Sequence, residues 1–203
     1  MNNIKATVKD YIKIDNPEGF IITGEDNLKI LKLLPDNCID NIYIDPPYNT
    51  GKKWSKNDWE FDDTFDSKWH FLHLLGSRLV EAKRVMNDGA SIFCHLDYRM
   101  NSEVKTMLMD PLFNEKESAL TWDMVQSIFL DKLGKKIHTP VPVPCVVISD
   151  GPSICMDFFG GSLSYAAACH KLGRRYIGIE LNETEQLFLD QIKDKEFGCE
   201  RKD

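Results

Sequence analysis

The sequence predicts an α/β protein: three layers, with a mostly parallel sheet between two layers of helices. Two observations carry that expectation. Short apolar runs of strand length alternate along the chain with segments of helical periodicity, the pattern of successive βαβ units. The strand Ile39–Ile44 ends in Ile42-Tyr43-Ile44, apolar on both faces, as an interior strand must be.

Taken in order, residues 1–19 read as a polar extension that ends in a turn at Asn16-Pro17-Glu18-Gly19. Phe20–Thr23 is a short strand. Leu28, Leu31, Leu33 and Leu34 mark a helix stopped by Pro35-Asp36-Asn37. The strand Ile39–Ile44 ends abruptly at Asp45-Pro46-Pro47-Tyr48. Residues 49–66 lack any periodicity and read as a loop. From Ser67 to about Met86, Trp69, Leu72, Leu75, Leu79 and Val85 recur at helical spacing, with Trp69 expected in the core, and Asn87-Asp88-Gly89 closes the helix. Ala90–Leu96 is a strand and Asn101–Leu108 a helix, whereas residues 114–138 carry no clear pattern. Thr139-Pro140-Val141-Pro142-Val143-Pro144 must be extended, because proline excludes the helix. A strand over Ser153–Phe159 runs into Gly160-Gly161-Ser162. A helix through Ala166–Leu172, a strand over Tyr176–Glu180 and a helix over Glu183–Lys195 complete the pattern.

Bulk properties narrow the class. A chain of 203 residues, 42% hydrophobic and 28% charged, is long enough for one domain with a sizeable core. No apolar run approaches the roughly 18–20 residues that cross a bilayer, and the first ten residues lack the apolar stretch of a secretory signal. A cytoplasmic location is expected. The six cysteines have neither C-x-x-C nor zinc spacing, so they read as reduced and mostly buried, with Cys199 an exposed thiol. A net charge of −7 argues against strong nucleic-acid binding by the chain alone. Lysine clusters at 52, 53 and 56 and at 132, 135 and 136 offer local basic faces.

In sheets of this kind ligands gather at the carboxyl ends of strands, near the point where strand order reverses. Three suggestive loops fall there, after Ile44, after Phe159 and at Glu180. Asp45-Pro46-Pro47-Tyr48 is the most telling. Its two prolines make a rigid turn that presents carbonyl oxygens without competing N–H groups. An exocyclic amine on an aromatic base is a poor nucleophile, because its lone pair is delocalised into the ring. A site that accepts hydrogen bonds from both amine hydrogens draws the nitrogen toward tetrahedral geometry. The Asp45 carboxylate and the Pro46 carbonyl are two such acceptors, and Tyr48 offers a ring on which an extruded base can stack.

Ile42–Gly51 as a whole closely resembles the catalytic motif of amino-methylating DNA methyltransferases, specifically the β-class, in which the catalytic half precedes the cofactor half. Downstream, Asp157-Phe158-Phe159-Gly160-Gly161-Ser162 resembles the family's cofactor loop, D-x-F-x-G-x-G-T. Thr139-Pro140 and Pro142 match a Thr-Pro-Lys-Pro segment, Arg175–Glu180 the strand whose terminal acid holds the ribose, and Asp26-Asn27-Leu28 a Gly-Asp-Asn-Leu segment. The resemblance implies a Rossmann-like methyltransferase domain over residues 20–198. Its catalytic half is 20–113, a reduced recognition or linker segment 114–138 and the cofactor half 139–198. It implies S-adenosyl-L-methionine as cofactor, no metal, and N6 of adenine in DNA as methyl acceptor, with N4 of cytosine the alternative; the family's cytosine enzymes usually open the motif with Ser rather than Asp. Asp45, Pro46, Pro47 and Tyr48 would carry catalysis. Asp26, Thr139, Asp157, Phe159, Gly160, Gly161, Ser162 and Glu180 would hold the cofactor, Asp26 being equally readable as a helix cap.

Two departures stand out. Leu163 and Ser164 replace the last Gly-Thr of the cofactor loop, so a leucine either crowds the cofactor or packs beneath it. Residues 114–138 are short for a recognition region, so specificity would be slight, come from residues 49–66, or be supplied by a second subunit or a homodimer. A catalytically weak or inactive subunit acting with a partner is therefore a further reading. An iron(II) oxygenase would use His95-x-Asp97 with His138 or His170, but helices of this kind do not suit its all-β fold. His70 and His73 share a helix face without a third ligand and read as helix packing. Trp54 and Trp59 read either as a stacking platform or as part of a loop over the site.

Overall fold

A computed structural model describes residues 2–13, 18–56, 59–96, 98–109 and 153–193. Five strands form one parallel sheet: β1 (Phe20–Thr23), β2 (Ile39–Ile44), β5 (Met86–Cys94), β6 (Ile154–Asp157) and β7 (Arg175–Glu180), in the order β1-β7-β6-β2-β5. From β2 the chain steps outward to β5, whereas from β6 it steps the other way to β7. The order reverses between β2 and β6, and a crevice opens at their carboxyl ends.

Alternation along the strands builds the three layers. Ile42, Ile44, Ile92, Cys94, Met156 and Ile177 face one side, whose core also takes residues of the helices α1 (Asn2–Lys13), α2 (Asn27–Leu31), α3 (Lys68–Val85) and α4 (Asn101–Met109). Tyr43, Phe93, Cys155 and Tyr176 face the other side, against α5 (Ser164–Lys171) and α6 (Glu185–Lys193). Period-two side-chain direction on a doubly covered sheet requires this division. The expected three-layer α/β fold is what the chain adopts. Four of its cysteines, Cys38, Cys94, Cys155 and Cys169, are buried thiols; Cys145 and Cys199 lie outside the described residues.

Asn87-Asp88-Gly89, expected to close α3, instead lie within β5. Apart from such shifted ends, the structure departs from the sequence reading in three places. Residues 2–13, read as a polar lead-in, form α1, whose Val8 and Tyr11 are buried. Ile4, Val8, Tyr11 and Ile12 make a narrow apolar stripe at helical spacing that the surrounding polar residues mask. Arg175 of β7 donates to the Tyr11 carbonyl and lies 4.7 Å from the centre of its ring. Residues 49–66, expected as a loop, contain an antiparallel hairpin of β3 (Lys52–Lys56) and β4 (Trp59–Asp63). Its strand character comes from cross-strand pairing, including a Lys53–Asp62 ion pair of 2.7 Å, and not from apolar periodicity. Trp69, expected in the core, is 79% exposed. It precedes the buried stripe of Phe71, Leu75 and Leu79 and points away from it. His70 and His73 are exposed on the same helix, His70 lying 3.5 Å from Asp66.

Two buried polar contacts fix β2 and the turn beyond it. The Tyr165 hydroxyl of α5 donates to Asn41 Oδ1 of β2 at 2.8 Å, and its ring stacks on Tyr43 at 5.3 Å. Asp63, 1% exposed at the end of β4, accepts from the Asn49 and Thr50 amides at 2.7 and 3.1 Å and from Thr50 Oγ1 at 2.6 Å. That carboxylate holds the turn after Tyr48, where Asn49 takes a left-handed φ of 56°. Tyr165→Phe should cost about 1–2 kcal/mol of unfolding free energy, the net value of a buried hydrogen bond. Asp63→Ala strands three donors and should cost more, about 2–4 kcal/mol. Denaturant unfolding of both variants checks the size and the ranking.

Candidate active site

The described candidate residues gather at the carboxyl end of the sheet, because parallel strands deliver their following loops to one edge. Asp26 follows β1, Asp45-Pro46-Pro47-Tyr48 follow β2, Asp157 ends β6 and leads into Phe159-Gly160-Gly161-Ser162, and Glu180 ends β7. Thr139, with the rest of its extended segment, lies outside the described residues. Ile42 of β2 pairs with Met156 of β6. β2 ends two residues later at Ile44 and β6 one residue later at Asp157, so Asp45 and the Phe159-Gly160-Gly161 loop leave the sheet at the same edge from neighbouring strands.

Asp45 is 39% exposed, while Pro46 behind it is buried. The Tyr48 hydroxyl donates to Asp45 Oδ1, and His95 Nδ1 lies 3.0 Å from the same oxygen and 2.8 Å from the Tyr48 hydroxyl. The Tyr48 and His95 rings meet edge to face at 5.6 Å. Burial, then the Asp45 charge and hydrogen bond, push the Tyr48 phenol far above the usual tyrosine range, so it keeps its proton. The sequence reading weighed His95 only as a metal ligand. Its place beside Asp45 follows from the pairing of Ile44 with Cys94, which a sequence does not reveal.

Across the crevice, Asp157 is buried and accepts from the Phe159 amide at 2.9 Å. Burial raises its carboxyl well above the usual range; the Phe159 amide opposes the rise, and the charges of Asp45 and Glu180 add to it. Glu180 Oε2 accepts from the Gly161 amide at 2.7 Å, and its Oε1 accepts from the Asn182 backbone and side chain at 3.0 Å each. Asp26 caps α2, accepting from the Leu28 amide at 2.9 Å, and pairs with Arg78 at 2.8 Å. Both readings of Asp26 survive this geometry, since its neighbour Asn27 donates to the Phe158 carbonyl at the mouth of the loop.

The glycine pair divides its work. A Cβ at Gly160 would sit 2.5 Å from Leu163 Cδ2 and 3.1 Å from the Ile179 carbonyl, so the fold itself requires that glycine. Gly161, at φ +51°, has open space where a side chain would be. Leu163 also takes a left-handed φ, of 60°, and is fully buried beneath Gly160 and Gly178. It packs under the loop on the α5 side. Among the described residues, no group of three or more His, Cys, Asp or Glu is arranged to hold a metal ion, and no helix is long and apolar enough to cross a membrane.

Residues 39–137 match the N6_N4_Mtase family model, described as DNA methylase. Among curated relatives, the Type II methyltransferase M.EcaI of Enterobacter cloacae is 31% identical over 37% of this chain and 17% of its own length. The Mod subunit of the Type III restriction-modification enzyme StyLTI of Salmonella typhimurium is 30% identical over 49% of this chain and 19% of its own. The chain thus spans under a fifth of either relative. Among solved structures, the PvuII DNA methyltransferase (cytosine-N4-specific) aligns over 88% of both chains, with a TM-score of 0.61 at 12% identity. A protein described as a DNA modification methylase of Thermus thermophilus aligns over 86% of this chain and 96% of its own, with a TM-score of 0.57 at 12% identity. The same Thermus protein complexed with S-adenosyl-L-methionine aligns over 85% of this chain and 95% of its own, at a TM-score of 0.50 and 12% identity. The matched segment and the relatives liken this chain to amino-methylating DNA methyltransferases, and the solved structures share its fold.

Proposed function

We propose that this chain transfers a methyl group from S-adenosyl-L-methionine to an exocyclic amine of a DNA base, N6 of adenine in particular. The observation that carries the reading is that Asp45 and the Gly160–Gly161 turn follow the carboxyl ends of two neighbouring parallel strands, β2 and β6, at the switch point. Bound there, the cofactor supplies an electrophilic methyl group on a positively charged sulfur. The residues present suit such a ligand. Asp157, Glu180 and Asp45 gather three carboxyl groups around the crevice, and Gly161 leaves its outer side open. Glu180 would exchange its bond to Gly161 for the ribose hydroxyls. Leu163, packed beneath the loop, supports an open cofactor side rather than a crowded one.

In this reading Asp45 and the Pro46 carbonyl accept the two amine hydrogens, Pro47 keeps the turn rigid, and the Tyr48 ring carries the extruded base. Catalysis is orientation plus electrostatic stabilisation of charge developing on the nitrogen. Adenine is favoured because the motif opens with Asp45. With a net charge of −7, a second subunit or a second copy of the chain would supply much of the grip on DNA.

Incubation with methyl-labelled cofactor and DNA, followed by digestion to nucleosides, tests the reading directly. N6-methyladenine is expected; N4-methylcytosine would move the acceptor, and unlabelled DNA would overturn the activity. Asp45→Ala should lower transfer by at least about 10²–10³-fold, the scale of losing one transition-state contact, with cofactor affinity unchanged. The raised Asp157 also sets a pH dependence. The free protein keeps that proton to a higher pH than an ordinary carboxyl does, whereas a cationic ligand favours the ionised form. Cofactor affinity should therefore rise with pH through the titration of Asp157 and then level off. Calorimetry should detect proton release on binding, and Asp157→Asn should remove both effects.

A further inference from the structure

The triangle of Asp45, Tyr48 and His95 has a definite proton arrangement. A carboxylate only accepts hydrogen bonds, and the Tyr48 hydroxyl, holding its single proton, donates it to Asp45 Oδ1. His95 Nδ1 stands 3.0 Å from that oxygen and 2.8 Å from the phenol oxygen. A lone pair on Nδ1 would face the lone pairs of both, a repulsive arrangement with no proton to bridge it. Nδ1 must therefore carry the hydrogen. Both of these contacts fall on Oδ1 and neither on Oδ2. One oxygen held by two donors cannot turn about the Cβ–Cγ bond, so Oδ2 is left to meet an incoming hydrogen.

The backbone builds this clamp. Ile44 pairs with Cys94, and the His95 amide donates to the Ile44 carbonyl at 2.8 Å, so residue 95 is locked beside residue 45 as the two strands end. A slip of one residue would turn His95 to the opposite face of the sheet. His95 is 12% exposed against 39% for Asp45, which puts the imidazole behind the carboxylate relative to solvent.

We propose that His95 is a positioning residue for Asp45: its Nδ1–H and the Tyr48 hydroxyl together clamp Oδ1 and turn Oδ2 toward the amine of the target base. The assignment rests on the reading of Asp45 as the group that receives that amine. It also gives Tyr48 a second task, since the hydroxyl that steadies the carboxylate steadies the ring offered to the base.

Two measurements test it on the whole chain. Nitrogen-15 NMR of histidine-labelled protein should find His95 protonated on Nδ1 in the neutral form; a neutral His95 carrying its proton on Nε2 would overturn the clamp whether or not the protein methylates DNA. In the methylation assay His95→Ala should lower kcat by about 10²-fold, the scale of a misplaced reacting group, with cofactor affinity unchanged. His95→Asn, whose side-chain amide can donate from near the Nδ1 position, should recover most of that loss. Wild-type kcat in His95→Ala would sink the proposal while leaving the methyl-transfer reading intact. Unmethylated DNA with the wild-type chain, alongside an Nδ1-protonated His95, would sink that reading and leave the clamp standing.

Discussion

Everything at this site depends on β2 being paired on both sides by parallel strands in fixed register. Parallel strands end at one edge, so three loops far apart in sequence emerge side by side there. On one flank the pairing of Ile44 with Cys94 sets His95 beside Asp45. On the other, the pairing of Ile42 with Met156 brings Asp157 and the glycine turn alongside. Asn41, inside the same strand, is held from the α5 side by Tyr165. A strand this constrained cannot shift its final residue without disturbing both halves of the domain.

The constraint explains the electrostatics as well. Bringing the ends of β2, β6 and β7 together also brings together Asp45, Asp157 and Glu180, and a buried carboxyl among like charges holds its proton unusually tightly. Such a grouping is unfavourable in isolation and becomes favourable when a cation enters. The same residues therefore repel one another on their own and are satisfied by a positively charged ligand, the arrangement expected where perturbed titrating groups mark a working site.

Much of this was legible in the sequence. The parallel sheet could be read because strand-length and helix-length segments alternate and because Ile42-Tyr43-Ile44 is apolar on both faces, a pattern that suits a covered strand. Asp45–Tyr48 could be read because a double proline after such a strand has few structural uses. Other features were not legible, for physical reasons. The stripe of α1 is too narrow to stand out from its polar neighbours. The β3–β4 hairpin is held by cross-strand pairing and by Asp63, contacts that leave no periodicity. Trp69 is apolar and sits at helical spacing, yet composition cannot say on which side of the first turn it falls. His95 was visible as a residue but not as a partner, because strand register decides its neighbour.

The central claim is spatial: cofactor and target amine meet over the gap between β2 and β6. A crystal structure of the chain with S-adenosyl-L-methionine bound tests it most directly. The account predicts the ribose hydroxyls at Glu180, the methionine portion along Gly161, and the methyl group directed across the gap toward Asp45. A cofactor seated elsewhere on the molecule, or with its methyl group turned away from Asp45, would contradict it.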